Sequence, residues 1–260
     1  MIALVLAVVV VVPFLPGYAP FRQDLTAVNL RPLESGTHLL GTDNLGRDLL
    51  SRLALAGRTS LLIALPAVVV NLVLGLVLGL LAGYYGGKVD ALVMGLADLQ
   101  LAIPIMLLLI SIIAALGPST LTLVLVIGFS NWMGYGRISR AVSLSLRDRD
   151  FVWAPRTQGA GTTWVLRKHL LPNVVPSIAV LLPFDLGVVV LIEAAMSYLG
   201  LGVQPPTPSW GSMIEEGQTY LRTDPHLTVL PGIALFLLVA GVQFLSQRFT
   251  SENAPGGAGA

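Results

Sequence analysis

Five stretches of this chain carry almost no charge, and each is long enough to cross the hydrocarbon core of a bilayer. Residues 1–21, 59–87, 99–136 and 227–247 contain no Asp, Glu, Lys or Arg, and 170–202 contains only Asp185 and Glu193. About 20 apolar residues in helical form span a membrane. Backbone polar groups in hydrocarbon must be satisfied internally, so only helices or a closed barrel can cross. Barrel strands alternate apolar and polar residues over segments of about ten. The runs here are unbroken Leu, Val, Ile and Ala, which selects helices. Charge over the whole chain agrees: 11% of residues are charged, against about 25% in soluble domains. A length of 260 residues leaves room for one membrane domain of several helices and no second large globular one. With no cysteine in the chain, disulfides, thiolate metal sites and cysteine nucleophiles are excluded.

The expected fold class is therefore an all-α membrane protein with about six spans, near 1–16, 60–83, 91–115, 120–137, 173–198 and 227–247. Gly117-Pro118-Ser119-Thr120 separates the third from the fourth. Three regions follow. Residues 1–58 hold the first helix and an external segment, 59–248 form the core, and 249–260, rich in Gly, Ala and Pro, read as a disordered tail. The first span lacks a basic leading segment and a small-x-small cleavage site, so it reads as a retained helix rather than a cleaved leader.

Basic residues set the expected orientation. With both termini in the cytoplasm, Lys88, Arg137, Arg140, Arg147, Arg149, Arg156, Arg167, Lys168 and Arg248 lie inside, while Arg22, Arg31, Arg47, Arg52, Arg58 and Arg222 lie outside. The outside cations are matched by acids such as Asp24, Asp43, Asp48 and Glu216.

The loop between the fourth and fifth spans is the most informative segment. It reads RISRAVSLSLRDRDFVWAPRTQGAGTTWVLRKHLLPN from Arg137 to Asn173, far longer than the two to eight residues a connector needs. Its punctuation, Pro155, then Gly159-Ala160-Gly161, then Pro172, predicts a helix leaving the membrane, a short helix across its face, a turn and a returning helix. From charge alone it reads equally well as a basic loop at lipid headgroups.

The order of that punctuation resembles the cytoplasmic loop of ABC-importer permeases, whose signature is E-A-A, three residues, G, nine residues, I-x-L-P. Ala154 matches the first alanine, Gly159 the glycine and Leu171-Pro172 the terminal pair, with His169 at the isoleucine position. The resemblance implies a coupling helix that docks on a separate ATPase subunit, with Ala154, Arg156, Gly159, Ala160, Leu171 and Pro172 in the docking region. Trp153 and Pro155 depart from the signature glutamate and second alanine. Proline lacks a backbone donor and suits a helix's first turn. That leaves three readings open: a docking helix that begins later, an adapted partner, or weak coupling.

Two further segments are similar to the peptide and nickel branch of that family. HLLGTDNLGRDLLSR (38–52) resembles a segment carrying GTDxxGRD, and SYLGLGVQPPTPSWG (197–211) resembles SFLGLGxQPPxPSWG. From the residues themselves, Gly41, Thr42, Asp43 and Asn44 predict a turn and helix cap. Leu45, Leu49, Leu50 and Leu53 predict an apolar face on an interfacial helix that braces the gate side. Trp210 reads as an interfacial anchor, and Trp210 and Met213 as contacts for an external binding protein. Asp98 with Ala102-Ile103-Pro104 fits the family's D-x-x-x-A-x-P pattern. The C-terminal LSQRFTSENAPGGAGA departs from the usual run after the last span.

Ionisable groups inside spans are costly and usually face a bundle interior or water. Asp185, Asp98 and Glu193 are the candidates for a translocation pathway, against the plainer reading that each pairs near a span end. Asn71 suits an interhelical hydrogen bond. Taken together, the resemblance implies a permease subunit forming half of a pathway for peptides or a related small solute, with nickel as the alternative. It places the chain in a bacterial inner membrane with a second permease, ATPase subunits, an extracytoplasmic binding protein and lipid as partners, and no nucleic acid. No G-x-x-x-x-G-K-[ST] run is present. ATP and Mg would therefore be bound by the partner ATPases, and no cofactor by this chain. A secondary transporter or channel would call for inverted repeats or paired broken helices. A membrane enzyme would call for paired catalytic groups at membrane depth.

Overall fold

A computed structural model describes residues 1–252. The described chain is helical, with one isolated bridge between Thr42 and Asp48 and no strand. Helix α1 spans Ile2–Val11 and closes in a 3₁₀ turn at Val12–Phe14. Then follow α2 (Leu49–Tyr85), α3 (Gly87–Leu101), α4 (Ile105–Leu116), α5 (Thr120–Ser130), α6 (Met133–Leu146) and α7 (Asp150–Thr157). The series ends with α8 (Thr162–Ala179), α9 (Leu182–Tyr198), α10 (Trp210–Gln218) and α11 (His226–Glu252). The tail expected from 249 lies, from 253 onward, outside the described residues.

By length and composition, α2 and the His226–Gln247 part of α11 can each cross a membrane, and two bent pairs raise the total to four. Six straight spans are not seen among the described residues. The expected 91–115 span breaks between α3 and α4 with an 89° bend. Pro104 is the cause, since it disfavours helical geometry at Ile103 and then starts the next helix. The 120–137 span is interrupted at Asn131-Trp132, and the 173–198 span bends by 59° at Val180-Leu181, just before Pro183.

The chain packs as two compact units. The first comprises Met1–Leu65, Ile113–Val124 and Leu186–Leu245. Here the expected separate interfacial helix is instead the first turns of α2, which at 1.5 Å per residue is about 55 Å long. Positive φ at Gly46 prevents an earlier start. Asp48 accepts the Ser51 N–H at 2.8 Å and caps the helix. Leu49 and Leu53 of the expected apolar face are buried. A Cβ on Gly41 would strike the Leu30 carbonyl, so both glycines of the GTDxxGRD run answer to close backbone approaches.

The second unit comprises Pro66–Ile112, Leu125–Asp185 and the described residues from Ser246. Its axis is a seam between α2 and α6. Gly75, Gly79 and Gly83 lie one turn apart on α2. Added methyl groups there would strike Tyr135 and Trp132, Gly136 and Ser139, and Ser143 and Arg140 respectively. Small residues let membrane helices touch backbone to backbone. Below the seam, Leu80, Tyr84, Tyr135, Val152, Val165, Leu170, Val174 and Ile178 form one buried apolar cluster.

Candidate functional site

The 137–172 segment folds as helix, short helix, turn and returning helix. Helix α7 begins at Asp150, so Pro155 lies inside it. That removes the reading of a later start. The helix closes on Gly159, whose φ is +87°. The Ala160 N–H donates to the Pro155 carbonyl at 2.9 Å and the Gly159 N–H to Arg156 at 3.0 Å. This is a Schellman closure, which requires a left-handed residue just past the helix. The signature glycine therefore has a backbone reason. Pro172 lacks the N–H that the Lys168 carbonyl would take. Just before it, α8 widens into a π turn at Leu166–Leu170, and the Asn173 amide caps the His169 carbonyl at 2.7 Å.

The hairpin is fastened to the end of α2. Val152 is fully buried in the apolar cluster. Arg156 turns inward: its Nε donates to the Tyr84 hydroxyl at 2.9 Å, and its guanidinium lies 4.3 Å from that ring's centroid. Ala154, Gly159 and Pro172 are exposed, whereas Arg156, Ala160 and Leu171 are half-buried.

Deeper in the same unit, Asp185 is buried and lies in the first turn of α9. It accepts from Asn131 Nδ2 at 2.6 Å, Tyr135 Oη at 3.2 Å and Asn71 Nδ2 at 3.3 Å. Its own N–H donates to the Leu181 carbonyl at 2.9 Å, and the N-terminal end of a helix dipole favours negative charge. Thus, among the described residues, this acidic side chain is held by neutral donors alone. Two of the helix breaks serve it, because Asn131 sits at one and α9 starts at the other. Such breaks are tolerated in membranes where the backbone is buried in protein or lines a cavity.

A profile for the family described as "Binding-protein-dependent transport system inner membrane component" matches residues 75–251. The chain belongs to this family. It is 40% identical over 238 residues to the nickel transport system permease protein NikC of Escherichia coli (strain K12), covering 92% of this chain and 85% of that one. It is 38% identical to the di/tripeptide transport system permease protein DppC of Pseudomonas aeruginosa (strain UCBPP-PA14), covering 90% and 78%. It is 32% identical to the oligopeptide transport system permease protein OppC of Haemophilus influenzae, covering 92% and 78%. A chain of the MetNI methionine ABC transporter, solved in inward-facing conformations, shares the fold with a TM-score of 0.59 at 18% identity, covering 75% of this chain and 93% of that one. As a permease, the protein is the membrane component of an ABC importer, and nucleotide hydrolysis belongs to a separate subunit.

The remaining expected site residues of this permease fall in different places. Asp98 pairs with Arg137 at 2.7 Å, and both are exposed. Glu193 is fully buried and accepts from Ser197 Oγ at 2.7 Å, with Ser60 and Ser209 beside it. Trp210 and Met213 are corrected: both are buried, and Trp210 Nε1 donates to the Leu53 carbonyl at 3.2 Å across the space left by Gly57. Neither forms an anchor at lipid headgroups or an open surface for a partner. Instead, a charge network braces α10. Arg52 and Arg47 both hold Asp43 and Glu216, and Asn44 donates to Tyr220 at 3.4 Å. Burial pushes the Asp43 carboxyl up. The Arg52 cation, the Arg47 and Leu45 N–H groups and the Arg47 cation outweigh this and hold it below the usual range. Among the described residues, no group of three or more His, Asp or Glu is placed to hold a metal.

Sequence reasoning missed the glycine seam, the Tyr84 latch, the Asn131 and Tyr135 donors and the Glu216 network. The seam alone had a local signal, the G-x-x-x-G-x-x-x-G run at 75–83.

Proposed function

We propose that this permease forms half of a translocation pathway with a second permease subunit, and that ATPase subunits dock on the 137–172 hairpin. In this reading an extracytoplasmic binding protein delivers the solute. Both termini are cytoplasmic, the bent pairs α3–α4 and α8–α9 count as single spans, and α1 and α5 complete six. The hairpin is then cytoplasmic.

The observation that carries the docking assignment is the fastening of α7 to Tyr84. A partner that moves α7 thereby moves the end of α2. Asp185 supports a role in the pathway, because an acidic side chain that meets only neutral donors among the described residues has no resident cation in the place a passing cation or amine would take. The solute class is peptides or a related small solute. Nickel is the second reading, favoured by the 40% identity to a nickel permease.

The test is reconstitution with the ATPases, second permease and binding protein of the same system, measuring ATP-driven uptake of labelled peptide and of nickel. Wild type is compared with Gly159→Arg, which disturbs the positive-φ closure. ATPase capture by wild type and its loss in the variant are expected. Failure of wild type to capture any ATPase would sink the assignment.

A further inference from the structure

Helix α7 and the start of α8 present three large aromatic side chains to solvent: Phe151 (43% exposed), Trp153 (51%) and Trp164 (49%). The His169 ring lies between two of them, 6.0 Å from Phe151 and 5.1 Å from Trp164. Aromatic residues supply most of the anchoring energy at protein interfaces when a partner buries them.

The charge around this face is net basic, with Asp150 as an exposed acid at the start of α7. Arg137, Arg140 and Arg147 are paired with Asp98, Asp90 and Asp148, and Arg156 is engaged by Tyr84. That leaves Arg149, Arg167 and Lys168 exposed, with no ion pair among the described residues. A basic partner surface would be repelled, whereas an acidic rim would be attracted.

A bilayer is the other surface that takes aromatics and cations together. A helix lying on lipid turns its continuous apolar side to the acyl chains. In α7 the aliphatic Val152 faces the protein core instead. At the exposed tip, Thr157, Gln158, Gly159 and Gly161 offer no large apolar side chain to insert.

We propose that Phe151, Trp153 and Trp164 dock into an ATPase groove with an apolar floor and an acidic rim, the rim meeting Arg149, Arg167 and Lys168. This rests on the assignment of the hairpin as the ATPase-docking element, and adds the chemistry of the partner. Trp153 is then a contact in its own right, in place of the carboxylate that the family signature carries there.

The test measures binding of the cognate ATPase to the full-length permease complex in nanodiscs. Trp153→Glu is expected to weaken binding at least tenfold, Trp153→Phe to stay within about threefold, and Arg167→Glu with Lys168→Glu to weaken binding and flatten its salt dependence. The native chain has no cysteine, so Gln158→Cys is a clean accessibility probe. It is expected to react with a charged maleimide in nanodiscs of anionic lipid and to be protected when the ATPase is added. Wild-type binding with an unaffected Trp153→Glu overturns the groove chemistry alone. Absence of wild-type binding overturns the docking assignment and this inference with it. Protection of Gln158→Cys by anionic lipid without ATPase assigns the face to the membrane and overturns the proposal.

Discussion

Arg156 both donates to the Tyr84 hydroxyl and stacks on its ring, so one side chain ties the short helix α7 to the last turn of α2. Arg156, expected in the docking region, thus turns to the protein. A neutral hydrogen bond contributes about 1 kcal/mol, one to a charged group about 1.5–3, and a cation–π contact about 0.5–2 kcal/mol. Tyr84→Phe, which keeps the ring, should lose less stability than Arg156→Ala. In proteoliposomes both should keep ATPase binding while less solute moves per ATP hydrolysed. Unchanged stoichiometry in Arg156→Ala would refute the link.

The glycine seam makes a contrasting pair of substitutions. Gly79→Leu must displace Gly136 and Ser139, whereas nothing lies within 4 Å of a Cβ at Gly95 in α3. Overpacking of a close contact costs about 1–3 kcal/mol or more, while a helical Gly→Ala change gains up to about 1 kcal/mol. Thermal unfolding in detergent should show a clear loss for Gly79→Leu and none for Gly95→Ala.

Arg52 is 2% exposed and meets two carboxylates. Removing one member of a buried ion pair costs about 3–5 kcal/mol, because its partner stays buried and uncompensated. Arg52→Met should therefore destabilise the protein more than Arg47→Met, whose side chain is more exposed. Unfolding midpoints compare the two directly.

Asp43 sets a pH limit on the same network. Its folded carboxyl is held below the usual range despite burial. It binds protons less readily folded than unfolded, so its contribution is complete above the ordinary carboxylate value of about 3.9 and is lost as pH falls through the lower folded value. The wild-type melting temperature should hold from neutrality towards pH 5 and fall below pH 4. Asp43→Asn should melt lower at neutrality and have a shallower acid limb.

Asp185 separates transport from stability. Asp185→Leu leaves the buried donors Asn71 and Tyr135 and the half-buried Asn131 without this acceptor, at about 1–3 kcal/mol for each buried one, and should fold poorly. Asp185→Asn retains an acceptor and shape. It should purify and bind ATPase normally, with uptake reduced at least tenfold. Full uptake by Asp185→Asn would remove Asp185 from the pathway.

The membrane class was legible because apolar runs report solvent directly, residue by residue. The signature glycine was legible too, and its cause is local: Gly159 closes a helix. The bends were less so. Pro104 was visible and marks where the helix breaks, but a proline does not set the 89° angle. Trp210 was misread because a tryptophan after a proline-rich turn looks interfacial, and only Gly57, more than 150 positions earlier, makes room to bury it. Asp185 was found from its own charge. Its donors Asn71, Asn131 and Tyr135 come from three other segments, and no local pattern connects them.

The glycine seam has a mechanical consequence. With no side chain from α2 at Gly75, Gly79 and Gly83, the adjoining parts of α2 and α6 meet as a single bar. Tyr84 sits at one end of that bar, and Asn71 and Tyr135 ride further along it, each holding Asp185. In the proposed mechanism a displacement applied at Tyr84 would reach both donors together, while Asn131, at the helix break, holds Asp185 from off the bar.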